Sequence, residues 1–162
     1  MHEVGRHLQM QAKRCDEVDR EAFARSAYNR YYYACFLVMR EAFKRMDPSW
    51  AQNPHKSYPE TLEGTIHRRL KREHLKAYKL GDSETTRSIE SAQRAVKQLT
   101  KIFKVAYSVR VVADYNFDTS VVFEDSNKFS LNTVSIDDAY KWQNEVRILS
   151  ESIVNAWDKF DV

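Results

Sequence analysis

The sequence predicts an all-α fold, and three observations carry that prediction. Only three Gly and three Pro occur in 162 residues, too few turn-formers for the many tight turns of an all-β fold. Long stretches place an apolar residue every three to four positions, the spacing of one helix face. Late in the chain, the stretch 116–134 loses that period. At this length the chain is read as one domain, 1–162, able to bury roughly two thirds of the surface its unfolded form exposes without a disulfide or metal.

The elements follow in order. A first helix is expected from about Glu3 to Cys15, followed by the acidic stretch of Asp16, Glu17 and Asp19. The second, from Arg20 to about Met46, repeats Phe23, Ala27, Tyr31, Ala34, Leu37 or Val38, and Phe43 at helical spacing, with Arg25, Arg40, Lys44 and Arg45 on its wet side. Tyr28, Tyr32, Tyr33, Phe36 and Met39 widen its apolar face, which suits contact with more than one layer or another subunit. Asp47-Pro48 ends it, and Pro54 and Pro59 mark a loop over 47–59. A third helix fits Thr61 to Leu80, with Leu62, Ile66, Leu70 and either Leu75 or Tyr78 inward and Gly81 as its stop.

Asp82 or Ser83 caps a long fourth helix whose stripe runs Ile89, Ala92, Val96, Leu99, Phe103, Ala106, Val109, Ala113. In the stretch after it, Val121, Val122 and Phe123 with Phe129 and Leu131 suit a small hairpin, and a connection of this length is often functional. Ser135 with Asp138 three residues on resembles a helix-start cap for the closing stripe of Ala139, Trp142, Val146, Leu149, Ile153, Ala156 and Phe160. Five helices and no internal repeat result.

Charge is uneven. Residues 1–113 hold 22 Lys and Arg against 13 Asp and Glu, and residues 114–162 hold four against ten. Such a basic body suits either a polyanion or an ordinary wet surface. The third helix concentrates the effect: Arg68, Arg69, Lys71, Arg72, Lys76 and Lys79 face a single acid, Glu73. Cys15 and Cys35 lack staple or metal spacing, which fits a reducing compartment. No apolar run approaches the roughly 18 to 20 residues that span a bilayer, and the first residues lack the apolar core of a signal peptide. A cytoplasmic protein without membrane contact is expected.

The residues that could carry chemistry are few. Arg110 and Asp114 lie one turn apart, followed by Tyr115 and Asn116. Their bland role is an i, i+4 pair that steadies the helix. Tyr31, Tyr32 and Tyr33 could stack on bases, but three successive positions point three ways, so core or dimer packing competes with any ligand role. The candidate nucleic-acid contacts are Arg30, Tyr33, Arg68, Arg69 and Arg72, each with a structural alternative. His67 and His74, two turns apart, are too far apart to chelate unaided. No phosphate-binding glycine loop, nucleophile triad or paired-Cys site occurs, so no cofactor and no metal is expected.

Arg30-Tyr31-Tyr32-Tyr33-Ala34-Cys35-Phe36 in the second helix, His55-Lys56 in the connection, and Arg110-Val111-Val112-Ala113-Asp114-Tyr115 closing the fourth together resemble a HEPN domain (higher eukaryotes and prokaryotes nucleotide-binding), over about Phe23 to Phe160. The resemblance implies a five-helix up-and-down bundle, with the irregular or hairpin insert before the last helix. It also implies a homodimer that brings two fourth-helix motifs across a cleft. Members often act on RNA as metal-independent endoribonucleases in toxin-antitoxin and other defence systems, with an Arg and a His separated by four to six intervening residues. Here those positions hold Tyr115, Asn116 and Phe117, and no His follows His74.

Metal-independent RNA cleavage needs a proton carrier working near neutrality and a cation for the developing phosphorane charge. Arg110 could supply the second; Asp114 is the nearest candidate for the first. The expectation is therefore an RNA- or nucleotide-associated module of a prokaryotic defence or toxin-antitoxin system, lacking standard ribonuclease activity. A nucleotidyltransferase-like or other defence protein is its candidate partner. Two alternatives stay open: a metal-independent endoribonuclease using Arg110 and Asp114 with Tyr115 or Asn116, and a non-catalytic dimerisation and partner-docking domain.

Overall fold

The computed structural model describes residues 1–125 and 128–160, and most of them are helical. The helices are α1 (His2–Ala12), α2 (Glu17–Met46), α3, α4 (Ser83–Tyr115) and α5 (Ile136–Trp157). Of these, α3 is composite: a helical turn Tyr58–Glu60, a π-helical segment Thr61–Ile66 and a regular stretch His67–Lys79. Three strands, β1 (Val122–Asp125), β2 (Lys128–Leu131) and β3 (Val134–Ser135), form an antiparallel sheet in that order. The all-α expectation with a hairpin-like insert is thus met, the insert having a third strand. Residues 126 and 127 of the insert, and 161 and 162 of the expected 1–162 domain, lie outside the described residues.

Local chemistry explains most boundaries. Gly81 takes φ +71° after α3, and Asp82 N–H donates to Ala77 O at 3.0 Å while Gly81 N–H donates to Tyr78 O at 3.1 Å, the left-handed closure that glycine permits. Asp82 then caps α4, its Oδ1 accepting from Thr85 N–H at 3.0 Å. Pro59 falls in the first turn of α3, where its missing N–H costs nothing, so the helix starts before Thr61. The loop before it holds two short 3₁₀ turns, Pro48–Gln52 and His55–Ser57. Leu75 and Tyr78 correct the expected α3 stripe: they are exposed, and Ala77 is buried instead. Position 77 is two turns after Leu70 and stays on its face, whereas position 75 is turned roughly 140° away.

The chain forms two compact units, residues 1–37 with 105–144 and residues 38–104 with 145–162. In the first, α1 lies against α2 through Gly5, where a Cβ would come within 2.8 Å of the Tyr31 ring. Tyr31 is buried, and its hydroxyl donates to Gln9 Oε1. Tyr28 ties the sheet to α2 by donating to Val134 O at 2.7 Å, and its ring meets Phe129 edge-on. Burial pushes both phenols well above their usual range.

In the second unit, Tyr58 packs on Phe43 and Phe103 at centroid distances of 4.7 and 5.6 Å, beside buried Leu62, Ile66 and Leu70. Each fully buried side chain of this size contributes about 2 kcal/mol. Trp157 packs on Trp50 at 5.6 Å and carries the Arg69 guanidinium 4.4 Å above its ring.

Candidate functional site

The end of α4 in the first unit gathers the polar side chains that sequence spacing singles out. Arg110 and Asp114, four residues apart, share a helix face, and Arg110 Nε lies 2.9 Å from Asp114 Oδ2 with the side chains 17% and 23% exposed. The Nε–H does not point along that line, so the contact is an ion pair by distance and not an aligned hydrogen bond. Asp114 Oδ1 accepts from Asn29 Nδ2 at 2.5 Å. Both carboxylate oxygens are therefore engaged.

Arg110 is bracketed by phenols. Its Nη2 donates a long 3.4 Å bond to the Tyr115 hydroxyl, the guanidinium sits 5.1 Å from the Tyr115 ring, and Tyr33 supplies a further hydrogen bond. Partial burial works against the charge, but the Tyr115 hydrogen bond, the Asp114 charge and the two tyrosines outweigh it and raise the Arg110 pKa. The result is a permanent, oriented and partly open cation beside an exposed aromatic ring, Tyr115.

The helix end that carries this cluster is held by Arg25. Expected on the wet side of the second helix, Arg25 is instead 7% exposed. It donates to Val112 O at 3.0 Å, Asn116 O at 3.2 Å and Thr119 O at 2.6 Å, and pairs with Glu21 at 2.7 Å. The Asn116 and Thr119 carbonyls lie past the end of α4, beyond the reach of its intrahelical donors, and Val112 O, which already accepts from Asn116 N–H at 3.2 Å, takes Arg25 as a second donor. A guanidinium with five N–H groups can serve all three. Glu21 also accepts from Val121 N–H at 3.4 Å.

Not every candidate joins this cluster. Asn116 enters through its backbone, N–H to Val112 O and C=O from Arg25. Arg30 turns toward α1, its Nη1 4.0 Å from Met1 Sδ. In the second unit, Arg68 donates to Gly64 O at 3.0 Å, Arg69 stacks on Trp157, and Arg72 pairs with Glu73 at 3.2 Å. Glu73 also binds Lys76 at 2.9 Å, and these two hydrogen bonds outweigh its desolvation and lower its pKa. Much of the expected cationic face of α3 is thus spent on packing and local pairing.

Two contributors, Asn29 and Arg25, escape the sequence reading. A signal existed: Arg25, Asn29 and Tyr33 recur every four residues, a polar line inside an aromatic helix, and all three meet the end of α4. The histidines of this unit lie elsewhere, His2 against Tyr31 and Tyr140 and His7 beside Gln11. Among the described residues no group of three or more His, Cys, Asp or Glu is placed to hold a metal ion, and no helix is long and apolar enough to cross a membrane.

Comparison with protein-family models, with curated proteins and with solved structures found no match.

Proposed function

We propose that this chain is a HEPN-like, RNA- or nucleotide-associated module in which the Arg110 cluster contacts a phosphate without cleaving the strand. The observation that carries the reading is the pairing of roles at the end of α4. Arg110 is a fixed, partly open cation beside exposed Tyr115, while Asp114 is committed to Arg110 and Asn29. A phosphate can displace the weak 3.4 Å contact to Tyr115 and take the guanidinium, and the exposed ring offers a stacking surface for a base. Proton transfer to and from a ribose hydroxyl needs a positioned carrier with free capacity, and the groups around Arg110 are hydrogen-bonded to one another.

In this reading the protein works in the cytoplasm as a homodimer. It belongs to a prokaryotic defence or toxin-antitoxin type system, with a nucleotidyltransferase-like or other defence protein as its natural partner. The test is incubation of mixed structured and single-stranded RNA with the purified protein in excess EDTA, beside Arg110→Ala prepared identically. Intact RNA with both proteins supports the reading. Cleavage that disappears in Arg110→Ala would overturn it in favour of a metal-independent endoribonuclease using Arg110 and Asp114.

A further inference from the structure

We propose that a lysine-lined cavity in the second unit binds the phosphate group of a small phosphate monoester. The cavity measures about 450 Å³ and is lined by Glu63, His67, Val96, Lys97, Thr100, Lys101 and Lys104, a size within the range of roughly 300–1,000 Å³ typical of small-molecule sites. Two helices build it. On α4, Lys97, Lys101 and Lys104 repeat at four and three residues, so their ammonium groups share one face. On α3, Glu63 and His67 are likewise four apart, and they straddle the end of the π-helical segment Thr61–Ile66, a distortion frequent at functional sites.

The charge count selects the ligand class. Lys104 is already paired, its Nζ 3.0 and 3.1 Å from the two oxygens of Glu63. Lys97 and Lys101 remain as exposed, like-charged neighbours, which costs helix stability with no packing return. Three lysines against one glutamate leave two net positive charges in the lining, matching a phosphate monoester of about −1.5 to −2 at pH 7. Thr100 adds an independent sign. It is 2% exposed, and its Oγ1 has no hydrogen-bond partner among the described residues. A helical threonine commonly bonds back to its own helix, and a buried hydroxyl without a partner is unfavourable. A phosphate oxygen accepts from such a hydroxyl and from lysines acting as point charges. Val96 and the lysine stems supply an apolar wall for the ligand body.

This site stands apart from the Arg110 reading and is tested separately. Amide NMR spectra of the full chain are recorded during titration with adenosine 5′-monophosphate, inorganic phosphate and, as the unphosphorylated control, adenosine. Residues 96–104 are expected to shift with the two phosphates and not with adenosine. Lys97→Gln/Lys101→Gln should weaken the monophosphate on the order of tenfold. Thr100→Val should weaken it several-fold, and Arg110→Ala, which removes the proposed phosphate contact in the first unit, should leave the shifts of residues 96–104 unchanged. The proposal is overturned if neither phosphate shifts residues 96–104, if adenosine binds as well as its monophosphate, or if the double variant binds normally. It also fails if a short RNA shifts these residues while the monophosphate does not.

Discussion

Arg25 Nη1 donates to the carbonyl oxygen of Val112 at 3.0 Å across 87 residues of sequence. That bond, with those to Asn116 and Thr119, fixes the last turn of the helix that presents Arg110 and Asp114. The candidate site is therefore only as ordered as a buried guanidinium two turns before Tyr33 on α2.

Replacing Arg25 with Ala should destabilise the fold by about 3 kcal/mol, because three carbonyls and Glu21 lose a buried charged donor together. Arg25→Lys should recover part of the loss but not the fork of contacts. Urea unfolding of the three proteins checks this. A change below about 0.5 kcal/mol for Arg25→Ala, the scale of an ordinary surface substitution, would show that solvent satisfies these carbonyls equally well.

The two-residue turn between β2 and β3 places Asn132 at φ 49° and Thr133 at φ 66°. Both central residues of this hairpin type need positive φ, which suits Asn and disfavours a β-branched residue. Thr133 is exposed, so Thr133→Gly removes strain without losing packing. It should stabilise the protein by about 0.5–1 kcal/mol, the relief being partly offset by added freedom in the unfolded chain. An unchanged or lowered melting temperature would count against a strained turn.

Ser135 and Asp138 cap α5 reciprocally: Ser135 Oγ accepts from Asp138 N–H at 3.1 Å and donates to Asp138 Oδ2 at 2.8 Å. The Ser135 hydrogen bond, followed by that from Lys141, holds the Asp138 carboxyl below its usual pKa. A depressed native pKa means that the contribution is fully present above the unfolded value, about 3.9, and is lost as pH falls through the native value. Ser135→Ala should cost about 1 kcal/mol at neutral pH and move the Asp138 NMR titration midpoint upward. A midpoint unmoved by the substitution would assign the shift to Lys141.

This cap was legible in the sequence because both of its groups are local. So were the α4 stripe and the Arg110–Asp114 spacing, which depend on helical period alone. The burial of Arg25 was not, since its partners are backbone carbonyls 87 to 94 residues away and carry no side-chain signature. The engagement of Arg69 by Trp157 is hidden for a similar reason: residue type says cation, and only tertiary packing places it on a ring. On α3, apolar identity at Leu75 and Tyr78 suggested core, while the helix phase set by Leu62, Ile66 and Leu70 puts Ala77 there.

Asp114 gives a test of sign. If Arg110 serves a phosphate, the neighbouring carboxylate competes with it, so Asp114→Asn should tighten RNA binding by about fivefold at low salt, the equivalent of roughly 1 kcal/mol. Weaker binding, measured in the same titration, would give Asp114 a positive part in holding the ligand.

The most direct measurement is an anisotropy titration of a labelled single-stranded RNA with wild type and Arg110→Ala at two or more salt concentrations, the RNA being checked for integrity afterward. The expected result is salt-sensitive binding by wild type, a loss on the order of tenfold in Arg110→Ala with a salt slope smaller by about one phosphate contact, and intact RNA throughout. Equal affinity and equal slope for the two proteins would contradict a phosphate-contacting role for Arg110.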